Sequence, residues 1–260
     1  MSKELLTESL IKTVNHIAIQ AGHEIMAVYQ KDFEVYEKSD DSPLTEADLA
    51  SHQYIVKELT ELTPDTPILS EESADIDWSE RQQWETYWLI DPLDGTKEFI
   101  KKNGEFTVNI ALISNGKPTF GVVYAPVLDT LYYGVEGAGA KKQVGDEVTS
   151  IAVSQTPSSP LRVVGSRSHQ SEQMLDYLKQ FDDYELVPMG SSLKICLVAE
   201  GKADIYPRLG PTSEWDTAAA HAVLSAAGGR CFLYDTDQEL SYNTKESLLN
   251  PYFIAQGPTP

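Results

Sequence analysis

Acidic side chains recur where apolar segments of this sequence end, and carboxylates in such positions can hold a divalent cation. Asp91 and Asp94 follow the apolar segment 87–90, Glu71 follows a shorter one, and Asp216 lies at the predicted start of a helix. Open α/β sheets place their ligand sites beyond the carboxyl ends of the strands. We therefore expect these four side chains to share one pocket.

Such a cluster needs a counter-ion. Like charges a few ångströms apart raise one another's pKa, and burial adds to the shift. Ligand sets made only of oxygen, with no His or Cys, favour Mg²⁺ over zinc. Several carboxylates indicate two or more ions about 3.5–4 Å apart, an arrangement suited to in-line chemistry at phosphorus.

The residues after Asp94 favour the same chemistry. Gly95 lets the backbone approach a ligand closely, and Thr96 begins a predicted helical turn whose free N–H groups would face a phosphate. The alternative for residues 91–96 is an ordinary surface turn, since Asp, Pro and Gly are all turn residues. The repetition of the pattern at Glu71 and Asp216 favours the binding site.

Asp48 has a structural interpretation of its own. Residues 45–48 read Thr-Glu-Ala-Asp, which matches a helix capping box in which Asp48 reaches back to a backbone N–H. Taken alone, this pattern favours capping over catalysis.

The elements that must position these residues follow from hydrophobic periodicity and turn signals. Asn115 and Gly116 form a strong hairpin signal, and the Gly and Lys residues between Gly134 and Gly145 mark turns. Helices are predicted at 4–30, 43–62, 171–180, 191–200 and 215–227. Strands are predicted at 68–69, 87–90, 107–113, 120–124, 130–135, 151–153, 161–164, 184–187, 203–206, 231–234 and 252–255.

The composition changes near 156–160, Thr-Pro-Ser-Ser-Pro, where we place a domain boundary. Residues 1–155 form an α+β subdomain that carries most of the candidate metal ligands. Residues 156–260 form an α/β subdomain that contributes Asp216 and the substrate-binding residues, because strands and helices alternate there.

Charge and composition exclude several classes of function. The chain has 260 residues, with 20 Lys and Arg against 40 Asp and Glu, for a formal net charge of −20. A protein this acidic has no global attraction for a nucleic acid polymer or an anionic membrane, although a local cluster of cations could still bind a small anion. Two Cys cannot form a disulfide framework, and no signal peptide or membrane-length apolar run is evident. We expect a soluble, cytoplasmic protein.

Taken together, segments 41–48, 71–73, 91–96 and 215–219 resemble the motifs of the inositol monophosphatase superfamily, which comprises Mg²⁺-dependent, lithium-sensitive phosphatases. They read Asp-Ser-Pro-Leu-Thr-x-Ala-Asp, Glu-Glu-Ser, Asp-Pro-Leu-Asp-Gly-Thr and Trp-Asp-x-Ala-Ala, in the family order. The resemblance implies a layered αβαβα sandwich. Lys97-Glu98 after Asp-Gly-Thr, with segments 190–194 and 203–208, is similar to the bisphosphate nucleotidase branch. That branch removes the 3′-phosphate of adenosine 3′,5′-bisphosphate, a product of sulfur metabolism.

The resemblance also implies roles for individual residues. Two or three Mg²⁺ ions would be bound by Glu71, Asp91, Asp94, Asp216 and the backbone carbonyl of Leu93. Asp48 and Thr96 would share a hydrogen bond and, with Glu71, activate the attacking water. The substrate would contact Glu71, Leu93, Asp94, Gly95, Thr96, Ser191, Lys194, Arg208 and Asp216, with Ser166–His169 as further candidates.

Two other readings stay open. One is another sugar phosphatase of the same fold, acting on inositol phosphate or fructose bisphosphate, against which Lys97-Glu98 and the set Ser191, Lys194 and Arg208 argue. The other is a non-catalytic module that binds metal or nucleotide, for which Asp48 and Thr96 would serve no purpose. The sequence is compatible with a monomer or a homodimer, and with peripheral attachment to the inner face of the cell membrane.

Overall fold

A computed structural model describes residues 5–30, 35–37, 43–165 and 172–257, with only the backbone described at 35–37 and 43–45. Asp41 and the candidate segment Ser166–His169 lie outside the described residues. No helix within the described ranges combines the length and the apolar character that crossing a membrane requires.

The larger sheet has seven strands, and the acidic motifs lie at the carboxyl ends of its first two strands. Its strands follow the chain in spatial order, with the first pair parallel and all the others antiparallel. Asn115 and Gly116 have positive φ and form the predicted hairpin turn. The strands are β3 (Ile68–Ser70), β4 (Thr86–Asp94), β5 (Thr107–Ser114), β6 (Lys117–Ala125), β7 (Thr130–Val135), β8 (Gly139–Val144) and β9 (Glu147–Ile151).

The predicted turns between Gly134 and Gly145 are confirmed at 136–138 and at Gly145, but the prediction is wrong for Lys141 and Lys142, which lie in the regular strand β8. Only Ala140 of β8 is buried, so the strand carries little apolar pattern of its own. Its conformation comes from pairing with β7 and β9 on either side. Periodicity in the sequence cannot report such pairing.

Two long helices cover one face of this sheet. They are α1 (Glu8–Tyr29) and α2 (Glu46–Leu62), and their apolar stripes pack against the buried face of β4, β5 and β6. The helix predicted over 43–62 begins three residues later than expected. Residues Pro43–Thr45 instead form β2, which pairs with β1 (Val35–Glu37).

The smaller sheet has five strands, and two helices lie between it and the larger sheet. A third helix covers its far side, so the layers run αβαβα as the resemblance implies. The strands are β10 (Leu161–Gly165), β11 (Tyr184–Pro188), β12 (Ile205–Arg208), β13 (Arg230–Leu233) and β14 (Phe253–Gln256), in the order β11-β10-β12-β14-β13. The helices are α5 (Glu172–Leu178) on the far side, and α6 (Leu193–Ala199) and α7 (Ala218–Ala226) between the sheets. Two further helices are short, α3 (Trp78–Arg81) and α4 (Thr96–Ile100).

Helix α7 lies unusually close to the larger sheet because two strand positions have no side chain. A Cβ atom at Gly121 of β6 would lie 2.3 Å from the backbone oxygen of Ala219, and one at Gly134 of β7 would lie 2.7 Å from the Cα of Val223. The helix begins at residue 218 and not at 215, so Asp216 lies in the turn that leads into it. The depth of α7 therefore sets the position of Asp216.

Buried His221 on α7 predicts a loss of stability at acidic pH. Burial lowers its pKa to about 4, and its Nδ1 is hydrogen-bonded to the Tyr242 hydroxyl at 3.0 Å. Because the unfolded chain takes up a proton near pH 6.5 while the folded chain stays neutral, stability falls as the pH drops from 6.5 towards 4. Between pH 7 and pH 5 we expect His221 to cost about 2 kcal/mol of the free energy of unfolding.

Urea denaturation at pH 7 and pH 5 measures this contribution, with His221→Gln as the comparison. Glutamine can still bond to Tyr242 but does not titrate, so the variant should lose less stability between the two pH values than the parent chain. Equal losses in both proteins would show that His221 does not carry the effect.

Candidate active site

Three carboxylates meet where the two halves of the chain come together. Asp91, Asp94 and Asp216 each place an oxygen within 4.8 Å of the other two. Asp91 is only 1% exposed. The surface-turn alternative for residues 91–96 is therefore wrong, since the motif points into the protein at the carboxyl end of β4.

The electrostatics of this cluster are unfavourable without a cation. Burial, followed by the charges of Glu71 and Asp94, raises the pKa of Asp91 well above its usual value. Burial and the charge of Asp94 raise the pKa of Asp216 from 3.8 to about 7. Glu71 follows β3, and its charge contributes to both shifts. The structure brings Asp91, Asp94 and Asp216 together, and the place of Glu71 among the ligands stays a prediction.

Helix α2 holds the ends of the two strands that carry these acids. The Ser51 hydroxyl donates to the backbone carbonyl of Pro92 at 2.8 Å, within the Asp91–Asp94 motif. His52 Nδ1 and Ser70 Oγ are hydrogen-bonded at 2.9 Å, immediately before Glu71. Asp48, one turn earlier on the same face, is fully buried, and its charge also raises the pKa of Asp91. The helix therefore fixes two strand ends relative to each other.

The motif itself is shaped by a local kink. The pairing of β4 with β5 shifts register between Asp91 and Asp94, and Asp91 Oδ1 accepts a hydrogen bond from the backbone N–H of Leu93 at 3.1 Å. Gly95 follows with φ 94°, a conformation that suits glycine, and α4 begins at Thr96. The Thr96 hydroxyl donates to the Leu93 carbonyl at 3.4 Å. The hydrogen bond between Thr96 and Asp48 stays a prediction.

Five of the nine substrate residues inferred from the resemblance line an adjoining cavity. Its volume is about 500 Å³, and it is lined by Asp94, Gly95, Ser191, Lys194 and Arg208 among others. The Lys194 ammonium lies 5.8 Å from the ring centre of Tyr206, and its charge partly offsets the rise that burial causes in the pKa of Asp94. A cavity of this size suits a small molecule. Its lining includes three cations, Lys97, Lys194 and Arg208, beside the acids Asp94 and Glu98. A local cluster of cations of this kind is what an acidic chain needs to bind a small anion.

Several residues that organise the site were missed from the sequence. Ser192 donates to Asp94, Asn109 donates to Ser192, and Ser51 and His52 act from α2 as described above. For Asn109 a signal was present. It is a polar residue in an apolar strand and is 1% exposed, and a polar group buried to that extent needs partners.

The donor set fits a hard divalent cation. Within the part of the chain that the structure describes, the cluster of Asp91, Asp94 and Asp216 offers only oxygen atoms, and the Leu93 carbonyl lies beside it. These acids, of which Asp91 is buried and the other two are partly buried, have raised pKa values and gain most from a bound ion, which removes their mutual repulsion.

Comparison with known proteins agrees with this geometry. The model of the inositol monophosphatase family matches residues 6–257, which is nearly the whole chain. The chain belongs to the inositol monophosphatase family. Members of this family are metal-dependent phosphatases, consistent with the carboxylate cluster.

Several characterised members of the inositol monophosphatase family are close in sequence. The chain is 50% identical to the 3′(2′),5′-bisphosphate nucleotidase CysQ of Salmonella typhimurium over 246 residues, covering 94% of this chain and 98% of the relative. It is 49% identical to CysQ of Escherichia coli with the same coverage. The crystal structure of CysQ from Bacteroides thetaiotaomicron superimposes with a TM-score of 0.87 at 44% identity, covering 98% of this chain and all of that one.

Proposed function

We propose that this protein is a Mg²⁺-dependent phosphatase that hydrolyses the 3′-phosphate of adenosine 3′,5′-bisphosphate to give AMP and phosphate. The observation that carries the proposal is that Asp94 and Asp216, which cluster with Asp91, line one cavity together with Lys194 and Arg208. The carboxylates can bind the metal that activates the phosphate to be cleaved. Lys194 and Arg208 can bind the second phosphate. The nearly full-length similarity to CysQ nucleotidases supports the same substrate.

The residues that would hold the metal are Glu71, Asp91, Asp94, Asp216 and the Leu93 carbonyl, with two or three ions expected. Bound Mg²⁺ acidifies a coordinated water and stabilises the charge that develops on the phosphoryl oxygens. The first half of the chain would supply most of these ligands. The second half would supply Asp216 and the groups that hold the nucleotide.

The other residues of the chain would position the reacting groups. Asp48 and Thr96 would orient the attacking water and accept its proton, together with Glu71. The backbone N–H groups of Gly95 and Thr96 would contact the phosphate to be cleaved. Charge-assisted hydrogen bonds from the cations of the cavity would hold the second phosphate, and the reaction needs no covalent phosphoenzyme.

Phosphate release from three substrates tests the proposal. We expect rapid release from adenosine 3′,5′-bisphosphate, and much slower release from inositol 1-phosphate and fructose 1,6-bisphosphate. Release should depend on Mg²⁺, stop when a chelator is added and be inhibited by Li⁺. A preference for inositol 1-phosphate would instead assign the chain to the sugar phosphatases of the same fold. A complete lack of turnover with all three substrates would favour a binding module.

Replacing Lys194 with Ala should distinguish substrates by their number of phosphates. A lost charge-assisted hydrogen bond costs about 1.5–3 kcal/mol, so KM for the bisphosphate should rise roughly 10- to 100-fold. KM for adenosine 3′-monophosphate, which lacks the second phosphate, should change far less. Steady-state kinetics with both substrates measures the difference.

Lys179, an exposed lysine that directly follows α5 and is paired with Asp176, provides the matched control, and Lys179→Ala should leave both KM values unchanged. If Lys194→Ala impaired both substrates equally, Lys194 would act through the charge of Asp94 and not through the second phosphate.

A further inference from the structure

Next to the carboxylate cluster lies a chain of buried polar side chains to which the proposed chemistry assigns no role. It consists of Thr107 and Asn109 on β5 and Ser192 at the start of α6, which are all less than 5% exposed. Buried polar groups are costly unless they are hydrogen-bonded, and these three bond mainly to one another and to the acids.

Ser192 contacts two of the acidic residues at once. Its backbone N–H and its hydroxyl both donate to the same oxygen of Asp94, Oδ2, at 2.5 and 2.8 Å. The same hydroxyl lies 2.6 Å from the backbone carbonyl oxygen of Asp216. One hydroxyl carries one proton and donates to one of these acceptors at a time, whereas the N–H keeps Asp94 bonded throughout.

The hydrogen bonds behind Ser192 all run in the same direction. The Thr107 hydroxyl donates to Asn109 Oδ1 at 3.0 Å, and Asn109 Nδ2 donates to the Ser192 hydroxyl at 2.9 Å. Each donor therefore points towards the carboxylates, from a strand held on both sides by β4 and β6. Such chains of hydrogen bonds strengthen one another.

The residue before Ser192 has an unusual backbone conformation. Ser191 has φ 42°, in the left-handed region that residues other than glycine seldom adopt. The next N–H along the chain is the one that donates to Asp94. Backbone strain of this kind costs about 1–3 kcal/mol and persists where the surroundings impose it.

We propose that Ser192 is a positioning residue for metal binding, and this inference rests on the proposed function. By fixing Oδ2 of Asp94 it leaves Oδ1 to face the ion, and through the Asp216 carbonyl it links a ligand of the first half of the chain to one of the second. Groups that orient metal ligands in this way typically contribute 10- to 100-fold to metal affinity.

Calorimetric titration of the metal-free protein with MgCl₂ alone, without nucleotide, tests this role. We expect Ser192→Ala to bind Mg²⁺ roughly 10- to 100-fold more weakly than the parent chain, with an unchanged circular dichroism spectrum. Ser192→Thr, which keeps the hydroxyl, should recover most of the affinity. Ser114→Ala removes a similarly buried serine hydroxyl at the far end of β5, bonded to Thr86, and should bind like the parent.

The outcomes separate this inference from the proposed function. Failure of the parent chain to bind Mg²⁺ would contradict the proposed function itself. Normal affinity in Ser192→Ala, or a raised KM for the nucleotide with normal Mg²⁺ affinity, would overturn the positioning role alone. If Ser192→Ala does not fold, Asn109→Ala decides, because it leaves Ser192 in place and removes the amide that donates to the Ser192 hydroxyl at 2.9 Å and, over a longer 3.5 Å, to Asp94 Oδ2. Weakened Mg²⁺ binding in Asn109→Ala would support the role, and unchanged binding would overturn it.

Discussion

Replacing Asp94 with Asn should lower kcat by at least about three orders of magnitude, equivalent to about 4 kcal/mol of transition-state stabilisation. The change removes one negative charge from the proposed ligand set. It also changes the hydrogen bonds that this side chain can make. Only its oxygen can accept the backbone N–H of Ser192, so its NH₂ group would face the ion and repel it.

The variant should fold at least as well as the parent chain when metal is absent. Burial already penalises the charge on Asp94, and that charge in turn raises the pKa of Asp91 and of Asp216, so a neutral side chain relieves both costs. The measurements are kcat at saturating Mg²⁺ and thermal unfolding in a chelator. Asp176→Asn on the exposed face of α5 is the control and should change neither quantity. Turnover within tenfold of the parent would contradict a ligand role for Asp94.

The acidic cluster could be predicted from the sequence because the ends of strands can be recognised in it. Apolar runs stop at identifiable residues, and acids placed there share an edge once the sheet forms. Asp91, Asp94 and Asp216 do converge in the structure. The αβαβα layers followed from the family resemblance, and the comparisons confirm the fold. Beyond the family level, the roles of the individual site residues remain predictions for the experiments above.

The supporting residues could not be found in the same way. Asn109 and Ser192 lie 83 positions apart and meet only because α6 packs against the sheet that contains β5. Likewise, Ser51 meets the carbonyl of Pro92 across 41 positions. Hydrophobic periodicity reports which face of an element is buried, but it does not report which element covers that face.

The boundary near residues 156–160 illustrates a second limit. The segment does connect β9 to β10, as its Pro and Ser content suggests. However, one hydrophobic core joins Leu89 and Val123 of the larger sheet to Val198 and Val223 of the helices beyond the boundary. The two halves therefore share a core, and the carboxylate cluster lies at their junction. A change in composition marks a linker without showing how the halves pack.

That shared core gives the largest expected effect on stability, at Gly121. An Ala there would place its Cβ 2.3 Å from the Ala219 backbone oxygen and 2.8 Å from the Ala219 Cα. Strand β6 is paired on both sides, with β5 and β7, and α7 is enclosed between two sheets. Neither element can therefore move away without a large cost in free energy. Overpacking usually costs 1–3 kcal/mol, and a clash with backbone belongs at the upper end, about 3 kcal/mol or more.

The melting temperature of Gly121→Ala should therefore be lower than that of the parent chain by about 6–12 °C for a chain of this size. Gly165→Ala is the matched control, since it is also a strand glycine but its Cβ would meet, among the residues that the structure describes, only Leu186 at an ordinary 3.6 Å. Its melting temperature should stay close to that of the parent. Because α7 follows Asp216 directly, any Gly121→Ala protein that does fold must shift this helix outward, and its Mg²⁺ affinity should fall as well. Parent-like melting and Mg²⁺ binding in Gly121→Ala would show that the contact between α7 and β6 does not set the position of Asp216.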